Sequence, residues 1–154
     1  MNIYDVLKEL DIEYNEIEHK PLYTIADTEV VKGKMEGQEC KNLFLTDNKN
    51  NYYLVIIKDN KMANLKEIQK LLKTPKLSFA STNKLKEILN LLPGSVTPLS
   101  IIYDNNNKVT LLIDSDLKNK RLLFHPNINT KTISIKYEDL IRFIEYEKHQ
   151  YIFI

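Results

Sequence analysis

The chain has 154 residues, the length of one ordinary domain, with 43% apolar residues to build a core and 28% charged residues to cover it. No run approaches the ~20 uninterrupted apolar residues of a membrane span, and residues 1–11 lack the basic flank and apolar stretch of a signal peptide. Twenty-two basic residues against 21 acidic ones leave a net charge of +1, which argues against a protein that wraps many phosphates but not against one that grips a short nucleic-acid end.

Ile3, Val6, Leu7 and Leu10 recur at helical spacing behind Asn2, an N-cap residue, with Asp5 in the first turn. An extended piece is expected around residues 13–18. Thr24 and Asp27 predict the opening of a second helix that ends near Gly33. Two strands follow, 42–46 and 52–58, joined by a hairpin turn through the polar residues 47–51. Asn64 and Glu67 have capping-box spacing before a helix whose apolar face is Leu65, Ile68, Leu71 and Leu72. A short strand over 77–80 leads to Ser81, which caps a helix with Leu85, Ile88, Leu89 and Leu92 inward, stopped by Pro93 and Gly94. In the second half, 99–103 and 109–114 read as strands around a hairpin at residues 104–107. Strands over 121–124 and 132–135 come next, and Tyr137, Leu140, Ile141 and Ile144 mark a final helix. Strands joined by hairpins, with helices between them, make the fold α+β and residues 1–154 one domain.

Several kinds of chemistry are missing. The chain holds three glycines and no Gly-rich phosphate loop, its three histidines stand far apart, and no Gly-x-Ser-x-Gly elbow occurs. Cys40 is the only cysteine, which excludes an internal disulfide and suits a reducing, cytoplasmic setting. Beside Lys41 it has two readings, an activated thiolate or an inert small apolar residue, and the second is favoured.

Three segments stand out. Lys41 and Asn42 lie at the mouth of an apolar strand, where a lysine holds a phosphate as a compact charge; the bland reading is a solvated strand-edge lysine. Gly94-Ser95-Val96-Thr97-Pro98 combines a glycine that lets a ligand approach the backbone with a proline that fixes the loop; alone, it is a helix C-cap and a turn. Phe124-His125-Pro126-Asn127 puts a histidine at a strand end, to donate, to accept or to form a wall; a lone histidine there is more often structural.

Taken together, these segments resemble the YbaK/ProX family, which includes the editing domain inserted in some bacterial prolyl-tRNA synthetases. The resemblance runs from about His19 to Ile144. It includes His19-Lys20-Pro21 with Thr24, Gly37 ahead of Lys41-Asn42-Leu43-Phe44-Leu45, and Ser78-Phe79-Ala80-Ser81. Gly94 to Pro98, the run from Phe124 to Thr132, and finally Asp139-Leu140 and Arg142-Phe143 complete it, and the His-Pro segment is closer to the alanine-specific ProX branch than to the cysteine-specific YbaK branch. The resemblance implies a mixed, mostly antiparallel, barrel-like sheet with surrounding helices. It implies hydrolysis of the ester between a wrong amino acid, alanine, and the end of proline tRNA. On that analogy Lys41 anchors the terminal nucleotide through its phosphate, Gly94 offers backbone contacts, and His125 lines the amino-acid pocket. Asn42, Thr97, Pro98 and Asn127 belong to the substrate-binding surroundings. A positioned water attacks, with no protein nucleophile, metal or cofactor. The expected partners are the tRNA(Pro) acceptor end and prolyl-tRNA synthetase, with no DNA and no membrane.

Two other readings compete: a deacylase of the same family for cysteinyl-tRNA, and a module that binds charged tRNA without cleaving it. A third, an unrelated small-ligand domain, requires the three segments to match by coincidence. The tail over 147–154 lies beyond the resemblance, and its apolar end, Tyr151-Ile152-Phe153-Ile154, is expected to dock on its own core.

Overall fold

The computed structural model describes residues 1–22 and 33–154, so the helix expected from Thr24 and Asp27 lies outside the described residues. The elements run α1 (Ile3–Glu9), β1 (Asn15–Glu18), β2 (Gln38–Thr46), β3 (Tyr52–Lys58), α2 (Leu65–Leu72) and β4 (Ser78–Phe79). Then follow α3 (Thr82–Leu89), β5 (Val109–Ile113), β6 (Arg121–Phe124), β7 (Lys131–Lys136), α4 (Tyr137–Tyr146) and β8 (Tyr151–Phe153). The strands form one sheet in the order β1-β7-β6-β2-β3-β5-β8, with β4 also on β2. Four pairings are antiparallel and three, β2–β6, β3–β5 and β5–β8, are parallel. The α+β architecture expected from the sequence is the one observed.

Both faces of the sheet are covered. Along β3, Leu54 and Ile56 enter a large core with Leu7, Leu89, Leu111, Ile135 and Phe143, while Val55 and Ile57 join a smaller one with Leu45, Ile68 and Leu112. A strand buried on both faces is apolar at every position, which is why this stretch reads as a continuous apolar run rather than an alternation.

Local chemistry sets the helix starts. Asn2 and Asp5 form a reciprocal capping box on α1, Asn64 accepts from Glu67 N on α2, and Ser81 accepts from Lys84 N on α3. Two expectations fail. The α3 helix stops at Asn90, in the left-handed region at φ 55°, before Pro93; Leu92 is therefore 64% exposed and Leu91 is buried in its place. An asparagine C-cap tolerates that conformation and ends the helix early.

The strand expected over 99–103 is a 3-10 helix, Pro98–Tyr103, and the hairpin around residues 104–107 does not form. Pro98 stands in the first turn, Thr97 Oγ1 accepts from Leu99 N, and Pro98, Leu99, Ser100 and Ile101 are buried in succession rather than alternately. Instead of turning a hairpin, Asp104 accepts from Val109 N and meets His149 Nε2 at 2.9 Å, both side chains buried. That buried pair fastens the approach to β8. The tail docks on its own sheet as expected, with β8 parallel to β5 and Ile154 N donating to Ile113 O at 2.8 Å.

Candidate active site

The neighbours of β2 change along its length. On one side β3 accompanies it from Cys40 to Thr46. On the other, β6 pairs only with Gln38 and Glu39, and β4 only with Leu45 and Thr46. Ala80 N extends the β4 contact to Phe44 O. Between those partners, residues 40–43 face no strand on that side among the described residues. The sheet is split there, and Lys41 and Asn42 lie in the split.

The other side of the split belongs to β6. Gln38 aligns with Leu122 and Glu39 with Leu123, so the same parallel register continued by two residues sets Lys41 level with His125. Leu122 and Phe124 enter the larger core, so strand alternation puts Leu123 and His125 on the opposite face. That is also the face of Lys41, which shares it with Leu43 and Leu45 of the smaller core. Close packing brings the strands together just before they part. A Cβ on Gly37, at φ 152°, would lie 2.5 Å from Leu123 Cδ2, so only glycine fits. A hollow of about 210 Å³, lined among others by Gly37, Glu39, Asp59 and Leu123, lies at this junction.

Each polar group in the split has a definable state. Lys41 is exposed, and its Nζ donates to the backbone carbonyl of Lys61 at 2.8 Å. Lys61 itself is held by Asp114 at 2.8 Å and Asp116 at 2.6 Å, which fixes the carbonyl on which Lys41 rests. His125 is half-buried, and its Nδ1 lies 2.9 Å from the carbonyl of Lys131. A carbonyl only accepts, so Nδ1 carries the proton and Nε2 keeps a lone pair. Burial depresses the His125 pKa below its ordinary value, and the nearby His19 adds to this; both favour the neutral ring. Asn127 holds a left-handed φ of 67°, which an asparagine accepts readily.

The amide oxygens of Asn42 and Asn127 are both buried without a hydrogen-bond partner. An unpaired buried acceptor costs about 1–3 kcal/mol, so each of these amides has capacity left for a donor.

The parting of β2 and β6 thus has Lys41 and Asn42 on one strand, on opposite faces, and His125 just past the end of the other, with Asn127 two residues further on. His19, absent from the candidate set though present in the motif pattern, joins them. Its ring centroid lies 6.0 Å from that of His125, and its Nε2 is 2.8 Å from Thr132 Oγ1. The signal for it was the Thr at position 132, paired with His19 only once β1 and β7 align.

The loop from Gly94 to Pro98 has a different standing. Gly94 is exposed at φ 88°, whereas Thr97 and Pro98 are buried and shape the start of the 3-10 helix. Among the described residues, no hydrogen bond or ring contact ties this loop to Lys41 or His125. Cys40 is no nucleophile: burial, with the charge of Asp59 and Asp114, pushes its thiol up to about 12. Among the described residues, no group of three His, Cys, Asp or Glu side chains could hold a metal ion.

The sequence profile of the aminoacyl-tRNA editing domain matches residues 19–143. The prolyl-tRNA editing protein ProX of Acetoanaerobium sticklandii is 36% identical over 141 residues, covering 90% of this chain and 86% of its own. The prolyl-tRNA synthetase associated domain-containing protein 1 of Danio rerio is 33% identical over 148 residues, covering 94% of this chain and 80% of its own. A solved structure of a candidate trans-editing enzyme for prolyl tRNA synthetase superposes with a TM-score of 0.74 over 97% of this chain and 92% of that one; at 16% identity the likeness speaks for the fold.

Proposed function

The chain belongs to the aminoacyl-tRNA editing domain family, and from that premise we propose that it hydrolyses the ester joining alanine to the 3′ end of proline tRNA. The observation that carries this is the split between β2 and β6. The register of Gln38 and Glu39 on Leu122 and Leu123, continued by two residues, would bring Lys41 level with His125, and the Asn42 amide oxygen on the same strand lacks a partner, as does that of Asn127.

Lys41 exchanges the carbonyl of Lys61 for a phosphate of the terminal nucleotide, a stronger, charge-assisted contact. Water adds to the ester carbonyl, the bond to the ribose oxygen breaks, and that oxygen regains a proton while the amino acid departs as a carboxylate. An aminoacyl ester is already labile, so positioning and charge placement supply much of the needed rate. The unprotonated Nε2 of His125 accepts from the substrate ammonium or from water. Its ring, braced by the Lys131 carbonyl and His19, limits pocket size. Gly94 contributes backbone contacts from an exposed turn that a side chain would strain, and buried Thr97 and Pro98 hold that turn's shape.

A proline-activating pocket cannot strongly exclude alanine, because missing methylenes cost it only about 1–3 kcal/mol each. A second pocket too small for proline completes the selection. Incubation with alanyl-, cysteinyl- and prolyl-tRNA(Pro) tests this. The native chain is expected to release alanine fastest and to leave proline in place, and Lys41→Ala to lose the activity. Faster release of cysteine would transfer the assignment to the other branch of the family, and release of none would leave a binding module.

A further inference from the structure

The near-neutral net charge conceals a segregated one. Residues 61–76 contain five lysines and a single glutamate, so the remainder of the chain is net acidic. Lys61 is consumed by Asp114 and Asp116. Lys66, Lys70, Lys73 and Lys76 are exposed, and among the described residues none of them makes an ion pair. At about 100° per residue, Lys66, Lys70 and the C-cap Lys73 fall within an arc of about 60° on α2.

The helix faces are fixed by what they touch. Ile68 and Leu72 pack into the smaller core. Glu67 and Leu71 border a groove shared with Ile57, Asp114 and Ile154, the β3, β5 and β8 side of the sheet. The lysine arc lies outside both, over the outer face of α2 and the flank that carries Gln69. Gln69 accepts from Leu77 N at 2.9 Å, which folds the segment carrying Lys76 back along that flank. The stripe also begins at the right place. Three residues separate Lys61, whose carbonyl holds Lys41, from the N-terminus of α2 at Leu65.

We propose that Lys66, Lys70 and Lys73, with Lys76, form a track for the phosphates of a base-paired RNA stem whose 3′ end enters the split. Four unpaired lysines on one flank are costly to keep together unless an anionic partner neutralises them. A phosphate backbone offers regularly spaced charge along a line, as the stripe does. Compact ammonium groups contact phosphates without reading sequence, so the track would set position and affinity while the split sets selectivity. This deepens the reading of the split as an aminoacyl-ester site and rests on it for the identity of the RNA.

The test uses the full chain, the triple variant Lys66→Gln, Lys70→Gln, Lys73→Gln, and an uncharged RNA minihelix of the acceptor stem ending in CCA. Binding is titrated between 50 and 200 mM salt, with circular dichroism to verify that both proteins fold. Each lysine on a phosphate contributes about 1 to the slope of log affinity against log salt, so the variant should lose about 2–3. Its affinity should fall on the order of tenfold. With alanyl-minihelix the variant's KM should rise while kcat stays; with the alanyl ester of the CCA trinucleotide alone, native and variant should be equal. Unchanged minihelix affinity and salt slope, or no measurable minihelix binding by the native chain, would overturn the track. So would an equal loss on the trinucleotide, which would put the lysines in the ester site. The two readings fail separately. Lysine-dependent binding without hydrolysis of either ester retains the track and removes the reaction; hydrolysis with lysine-independent binding does the reverse.

Discussion

The two sides of β2 are built on opposite terms. On the β3 side the sheet is continuous through β5 to β8, and Leu54, Val55, Ile56, Leu111, Leu112 and Ile113 are all fully buried. On the β6 side the strands part after two paired residues, and the parted stretch of β2 carries Lys41 and the unpaired amide oxygen of Asn42. One half spends its residues on stability. The other gives some up, and the difference teaches where to look for chemistry: at the place where the hydrogen-bonded ladder stops within the sheet.

Substitutions on the two sides should therefore separate stability from activity. Leu111→Ala, in the continuous half, should cost about 2–5 kcal/mol in urea unfolding while the folded fraction keeps its kcat. Lys41→Ala, in the split, should lower deacylation on the order of 100-fold and shift stability by less than about 0.5 kcal/mol, since the side chain is exposed. A large stability loss in this variant would mean that Lys41 is part of the scaffold, and the contrast would break.

A third prediction concerns pH. Burial depresses the His125 pKa in the folded chain. Its contribution to stability is therefore fully present above the unfolded value of about 6.5 and is lost as pH falls through the depressed one. If the neutral ring serves the reaction, kcat/KM should be flat through neutrality and fall only on the acid side, and His125→Ala should remove that acid limb. An inflection above pH 7 that follows His125 would contradict the assignment. The smallest effect is expected at Asn42. Asn42→Leu removes an unpaired buried acceptor, so stability should hold or rise by up to about 1 kcal/mol while kcat/KM falls. Loss of both would show that the amide is satisfied within the fold and plays no part in receiving substrate.

Much of this was written locally. Asn2, Asn64 and Ser81 announced three helix starts through short-range hydrogen bonds that depend on nothing distant. The strand over 121–124 and the apolar run of β3 were legible from their residues alone. Pro98–Tyr103 was misread because four buried residues in succession suit an inner strand as well as a buried 3-10 turn, and only contact with α1 and α3 decides between them. The site was legible as three segments, but not as a place. Lys41, His125 and His19 carry no local signal that they belong together.

The amino-acid sequence by itself determined the α+β class, the caps, most strand positions and the family pattern, because each depends on neighbours a few residues away. Only the tertiary structure decided that β6 leaves β2 after Glu39, that Lys41 rests on the Lys61 carbonyl, and that the His19 ring lies beside that of His125. Those facts depend on strand order and register, and non-local pairing is set by the packing of the whole core rather than by any segment's own preference.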